Sequence, residues 1–323
     1  MRALTIFVAS LIVSFLACSD GIATSTATID ESEAKWTPVY NDSVTVTTYL
    51  YFMRKEVDMY LDVHEPADSN ELKPTVIFIH GGGFFTGTRK EDNIEHFCDS
   101  LARNGIRVVN MDYFLYLKGQ SFHCDQPSEN KMKAFDSVSA DLSMAIKFLK
   151  EDLNLDLSSL FIAGSSAGAE VVLHAPYGYK SRSEFAAQDK TEIKGLLAFA
   201  GAMIDTSLVT KDNAIPTMLF HGSCDPLVPY GSDTHHYCPE KTVGALMLHG
   251  SYSIFQRMAA LDQTVRLVTH CGAKHSIASK PIENDIQDIL DFITRVQNDE
   301  HFIEHEVRES ADCKYGDWEF CAP

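Results

Sequence analysis

Apolar residues along this chain gather into short unbroken runs, and the stretches between them repeat at helical spacing. Val76-Ile77-Phe78-Ile79, Leu160-Phe161-Ile162-Ala163 and Leu196-Leu197-Ala198-Phe199 have no polar face, the pattern of strands buried on both sides. Residues 106–111, 217–220 and 265–269 read the same way. Helices are predicted across 93–104, 134–149, 251–261 and 282–296, with a helix-like run over 169–173. Near the start, 44–51 and 56–64 alternate apolar with polar residues and predict an antiparallel hairpin.

Strands alternating with helices predict the α/β class: a doubly wound, mostly parallel sheet with helices on both faces. Ligands of such sheets bind beyond the carboxyl ends of the strands. No internal repeat or second domain is visible. The predicted domain runs over 44–300, after a polar linker at 24–43 and before a C-terminal tail at 301–323. Three connections, 115–131, 174–191 and 230–250, are long enough to shape a pocket.

The carboxyl ends of these strands carry specific chemistry. The run 160–163 leads into Gly164-Ser165-Ser166-Ala167-Gly168, a turn that tolerates only small residues two places either side of Ser166. Such a turn also aims the Ala167 N–H where an oxyanion would form. The run 76–79 ends in His80-Gly81-Gly82-Gly83, and three glycines cost chain entropy unless backbone must approach something closely. A phosphate cradle would continue with Gly-Lys-Ser/Thr, and Phe84-Phe85-Thr86 does not.

Two later strands end in His221-Gly222-Ser223-Cys224-Asp225 and in His270-Cys271-Gly272-Ala273-Lys274-His275. The chain order Ser166, Asp225, His275 is the order serine, acid, histidine. His270 is the rival base. It sits at the strand end itself, whereas His275 lies on a loop long enough to curl back over Ser166.

On these motifs, residues 57–296 resemble the α/β-hydrolases, in particular the His-Gly-Gly-Gly esterases of the hormone-sensitive-lipase and carboxylesterase type. The resemblance implies Ser166 as nucleophile, Asp225 as triad acid and His275 as general base. It implies oxyanion donors at Gly82, Gly83 and Ala167, and a loop-shaping role for His80. Two places depart from the pattern. Ser165 stands where the family often has Asp, and Phe114-Leu115-Tyr116 does not continue the Arg-Leu-Ala-Pro that often follows an Asp-Tyr like Asp112-Tyr113.

The implied activity is carboxylic ester hydrolysis through an acyl-enzyme, on short acyl esters or on acetyl or feruloyl esters of plant polysaccharides. No metal or organic cofactor is implied. A serine peptidase of the same fold usually brings a propeller or cap domain, and a binding or adhesion protein on this fold would have lost a triad member. This sequence shows neither feature.

Composition narrows partners and compartment. A net charge of −18 argues against nucleic acid and anionic membranes as partners. Met1-Arg2 followed by the apolar run 3–17 predicts a secretory signal within 1–23 rather than a buried helix. Leu16-Ala17-Cys18 resembles a lipoprotein signal that would anchor the chain by a lipid at Cys18; cleavage near Gly21-Ile22-Ala23 is the alternative. Either way the expected location is secreted, periplasmic or on the outer surface. Eight cysteines suit an oxidising compartment. Cys313 and Cys321 have the spacing of a small closed loop, and a Cys224–Cys271 bridge would brace the acid and base loops, but spacing leaves connectivity open. One thiol is expected to be free. His235-His236-Tyr237-Cys238 is not expected to bind metal, because adjacent histidines point apart.

Overall fold

The computed structural model describes residues 38–67, 73–177, 193–308 and 318–321. The predicted signal, and all of the linker up to residue 37, lie outside them. In chain order the elements are β1 (Val44–Arg54), β2 (Val57–Pro66), β3 (Thr75–Ile79), α1 (Asp92–Arg103), β4 (Arg107–Met111) and α2 (Ser128–Glu151). Then come β5 (Leu160–Ser165), α3 (Ala167–His174), β6 (Ile193–Phe199), β7 (Ala202–Met203), β8 (Thr217–Gly222), β9 (Ser232–Thr234) and β10 (Met247–Gly250). The last are α4 (Ser251–Ala260), β11 (Val265–His270), α5 (Lys280–Asn284), α6 (Ile286–Gln297) and β12 (Ile303–Arg308).

Nine strands form one sheet in the order β1-β2-β4-β3-β5-β6-β8-β11-β12. Only the β1-β2 and β2-β4 pairings are antiparallel; from β4 to β12 every pairing is parallel. Successive strand residues point to opposite faces, and both faces here are covered. Val76 and Phe78 of β3 therefore join one apolar cluster with Phe97, Phe161 and Phe292, while Ile77 and Ile79 join the other with Ile162 and Leu196. That double covering is why the strands read as unbroken apolar runs. Complete burial of a side chain such as Phe78 contributes about 2–3 kcal/mol.

Helix α1 shows how the layers attach. Its buried residues Ile94, Phe97, Cys98, Leu101 and Ala102 recur at helical spacing, with Asp92 and Glu95 in the first turn and Arg103 in the last, matching the helix dipole.

Three regions depart from the sequence reading. Ile303–Arg308, assigned to the tail, is β12 and pairs in parallel with β11. Helix α2 begins at Ser128 rather than near residue 134, because its first turns are polar and give no apolar period. The long connection 230–250 holds β9 and β10, which form a small antiparallel sheet with β7. Of the connection 174–191, only residues up to 177 are described.

Candidate active site

At the end of β5 the backbone turns sharply. Ser166 adopts φ 52°, ψ −118°, a left-handed conformation disfavoured for a side chain, and its N–H donates to the Phe199 carbonyl at 2.8 Å. The flanking glycines make this possible. A Cβ on Gly164 would strike the Gly168 backbone, and one on Gly168 would strike the Ile79 carbonyl. Helix α3 starts at once, so the Ala167 N–H lies in a first turn that has no intrahelical acceptor.

The glycine run leaves β3 beside this turn. Gly82 and Gly83 have φ 106° and φ 59°, and a Cβ on Gly82 would run into the Thr86 carbonyl. Their N–H groups carry no hydrogen bond among the described residues, and both glycines line the same cavity as Ser166. The loop is held from behind. The His80 Nδ1–H donates to the Gly81 carbonyl at 2.7 Å, and the Tyr113 hydroxyl donates to the same oxygen at 3.0 Å. The two rings stack with centroids 4.1 Å apart. Burial holds the His80 pKa below its ordinary value, so this imidazole is neutral. Asp112, next to Tyr113, instead holds Arg89.

Asp225 and His275 come from the loops after β8 and β11, neighbouring strands in the sheet. The His275 Nδ1–H donates to Asp225 Oδ2 at 2.6 Å, which fixes the tautomer and leaves Nε2 as an acceptor. That Nε2 lies 2.7 Å from Ser166 Oγ. The other Asp225 oxygen accepts the N–H groups of Leu227 at 2.8 Å and Val228 at 3.0 Å. Burial works to raise the Asp225 pKa, but hydrogen bonds from His221 and His275 overcome it and hold the carboxyl far below the usual range. The structure thus brings Ser166, His275 and Asp225 into one hydrogen-bonded line beside Gly82, Gly83 and Ala167. His270 is elsewhere: it is buried, with Lys280 Nζ 3.2 Å from its Nδ1 and Asp285 3.8 Å from its Nε2.

A cavity of about 440 Å³ opens over Ser166. Two of the long connections contribute walls, the first through Phe122 and His123, the third through His235 and His236. Among the described residues no cluster of three or more His, Cys, Asp or Glu side chains is arranged to hold a metal ion.

Two residues that matter here, His221 and Glu170, were not singled out in the sequence. His221 Nε2 lies 3.3 Å from Asp225 Oδ2, and its Nδ1 accepts from Ser251 Oγ at 2.8 Å, so a second imidazole braces the acid. Its signal is its position, four residues before Asp225 at the same strand end. Glu170 is the one acid in the otherwise apolar start of α3; it is buried, and burial pushes its carboxyl well above the usual range. The Ser165 hydroxyl donates to the Ala278 carbonyl.

Cys124 pairs with Cys238 and Cys271 with Cys321. Cys224 is also disulfide-bonded, and Cys98 is a buried free thiol. Neither a Cys224–Cys271 bridge nor a Cys313–Cys321 loop forms, since Cys271 and Cys321 take each other. Cys313 lies outside the described residues.

Residues 61–203 match the family model BD-FAE. The 3-O-acetylpapaveroxine carboxylesterase CXE1 of Papaver somniferum is 29% identical over 193 residues, covering 54% of this chain and 55% of that protein. Carboxylesterase 20 of Arabidopsis thaliana is 26% identical over 190 residues, covering 56% and 55%. The chain thus spans about half the length of these plant relatives. Among solved structures, native Est2 esterase of Thermogutta terrifontis aligns with a TM-score of 0.53 at 15% identity, covering 76% of this chain and 91% of that one. Brefeldin A esterase, described as a bacterial homologue of human hormone-sensitive lipase, gives 0.53 at 16% identity, covering 83% and 81%. With the sheet order and strand-end loops described above, these likenesses make the chain an α/β-hydrolase by fold.

Proposed function

We propose that this protein is an exported serine carboxylesterase that releases acetyl or feruloyl groups from plant polysaccharides or their fragments. The observation that carries the chemistry is the 2.7 Å approach of Ser166 Oγ to His275 Nε2, in a cavity that Gly82 and Gly83 also line. His275 Nε2 takes the Ser166 proton as Oγ adds to the ester carbonyl, while Asp225 stabilises the imidazolium. The Gly82, Gly83 and Ala167 N–H groups receive the oxyanion; losing one such donor typically lowers turnover about 10²–10³-fold. As the carbonyl re-forms, the C–O bond to the alcohol breaks and His275 gives its proton to the leaving oxygen. Water then loses a proton to His275, adds to the acyl-Ser166 carbonyl and releases the acid, and the proton returns to Ser166.

The carboxylesterases among the similar proteins support the reaction class. Disulfides support an oxidising compartment, as does the apolar start of the chain. A diacylglyceryl mass on Cys18 in the native protein would decide between an anchored and a freely secreted form.

The test is a panel of p-nitrophenyl acyl esters, acetylated xylan and methyl ferulate, run on the wild type and on Ser166→Ala. Hydrolysis of the panel that disappears in Ser166→Ala is expected. Activity that survives in Ser166→Ala but is lost in Ser165→Ala would move the nucleophile and overturn the reading.

A further inference from the structure

Two connections each bring one histidine to the wall of the cavity over Ser166: 115–131 brings His123 and 230–250 brings His236. The adjacent His235 turns to Glu170, whereas His236 turns across the cavity wall to His123. The Nδ1 atoms of His123 and His236 lie 2.9 Å apart, with the ring planes at 79° and the centroids 4.8 Å apart. Two imidazole lone pairs repel at that distance, so a positive centre must lie between them, either a shared proton or a cation.

The spacing says which cation fits. A metal ion such as zinc sits about 2.0–2.1 Å from an imidazole nitrogen. Two such bonds at a right angle put their nitrogens about 2.9 Å apart, whereas a tetrahedral angle needs about 3.3–3.4 Å. The observed spacing is that of two neighbouring corners of a tetragonal site, the geometry of copper(II) and nickel(II). The pair is also held in place. His123 adjoins Cys124, His236 lies two residues before Cys238, and those cysteines are bonded to each other. His236 has φ 58°, a left-handed conformation disfavoured for side-chain-bearing residues, and its N–H is anchored on the Leu227 carbonyl at 2.8 Å. The His235 ring packs against it with centroids 4.3 Å apart. His123 is exposed, which leaves an entry path, and the net charge of −18 draws cations.

We infer that His123 and His236 bind a copper(II) ion through their Nδ1 atoms, and that the bound ion inhibits the enzyme by occupying the cavity over Ser166. Copper(II) outranks nickel(II) and zinc(II) at nitrogen sites. As it binds, the ring that donates from Nδ1 moves its proton to Nε2, so both rings stay neutral and both Nδ1 lone pairs meet the metal. No third His, Cys, Asp or Glu joins the pair among the described residues, so water completes the coordination and the ion exchanges with solvent. The inhibition rests on the ester-hydrolase reading; copper binding itself does not require Ser166.

Two measurements test it. The first titrates CuCl2 into the wild type, His123→Ala and His236→Ala and reads bound copper by EPR, with thermal melting to show that each is folded. The wild type is expected to bind one ion coupled to two nitrogens, with a Kd on the order of 1–100 µM for two protein ligands. Each variant should lose that signal and bind at least about tenfold more weakly, since even a residue that merely orients a ligand is typically worth about 10–100-fold. The same copper signal in all three proteins, or none in the wild type, overturns the site. His123 is exposed, so His123→Ala decides the matter if His236→Ala does not fold. The second measures inhibition of p-nitrophenyl acetate hydrolysis by CuCl2, with MgCl2, a cation that prefers oxygen ligands, as the control. The copper concentration for half inhibition should rise about tenfold in each variant, and MgCl2 should not inhibit. Equal values in the wild type and the variants overturn the inhibitory role. If the wild type hydrolyses no ester while copper binding still depends on both histidines, the carboxylesterase reading fails and the metal site stands.

Discussion

Ser165 Oγ donates to the Ala278 carbonyl at 2.7 Å, tying the turn that presents Ser166 to the 3-10 turn His275–Ala278. The bond is buried, so the spacing of Ser166 and His275 is set by a nearby residue of each as well as by their own contact.

Ser165→Ala removes the donor and leaves the Ala278 carbonyl without it. A stability loss of about 1–3 kcal/mol is expected, with a fall in kcat and little change in KM, since the variant disturbs alignment rather than the substrate wall. Thermal unfolding read beside steady-state kinetics on p-nitrophenyl acetate checks this. A wild-type kcat in Ser165→Ala would show that the tether does not set the alignment.

The two histidines after β11 should behave differently. His275→Gln removes the imidazole on Ser166 and should lower kcat by about 10⁶-fold, and Asp225→Asn should lower it about 10⁴-fold by allowing the wrong tautomer. His270 points to Lys280 and Asp285, so His270→Gln should show its effect in melting temperature first. A loss of turnover in His270→Gln matching that of His275→Gln would move the base assignment.

Cys271 directly follows β11 and is bonded to Cys321, a separation of 50 residues. By chain entropy the bridge contributes about 4 kcal/mol. Cys321→Ser should lower the urea midpoint by a corresponding amount, and it should lower kcat in the folded protein by loosening the loop that holds His275. Equal kcat in the two proteins would confine the bridge to stability.

Asp141 is buried on α2, 3.2 Å from Arg54 and accepting the Phe114 N–H at 2.9 Å. Burial lifts its pKa to about 6, against the pull of Arg54 and that N–H. The folded value lies above the unfolded value of about 4, so folding favours the protonated acid. Its stabilising contribution is therefore full below about pH 4, falls as pH rises to about 6 and is gone above that. Asp141→Asn should flatten this window and be more stable than the wild type at pH 7, by on the order of 1–3 kcal/mol. Melting curves from pH 4 to pH 8 check the sign. A less stable Asp141→Asn at pH 7 would mean that the Arg54 ion pair outweighs the cost of burial.

Local chemistry decided what could be read ahead of the structure. The glycine run and the nucleophile turn are legible because positive φ and close backbone approach require glycine at fixed offsets from His80 and Ser166. Strand β12 is not legible, because one face holds only Ile303 and Val307, both exposed and split by His305, and the other holds the charges Glu304, Glu306 and Arg308. Those charges belong at an edge, where they pair with Arg295, Arg266 and Asp288. The role of His221 is legible only as a place: its position four residues before Asp225 is in the sequence, but the turn of its ring onto Asp225 is not. The pairing of Cys271 with Cys321 depends on where the chain returns after β12, which spacing alone does not encode.

Ser166 and His275 are 109 residues apart, the first after central β5 and the second after β11, which only β12 separates from the sheet edge. A local opening that peels β12 and β11 from β8 would carry His275 away while the Ser166 turn stayed folded between β3 and β6. Native proteins visit such sub-global states well below their global unfolding free energy. The proposed esterolysis would then report on the closure of this edge rather than on the fold as a whole, and an inactive preparation would still hold Ser166 in its native turn.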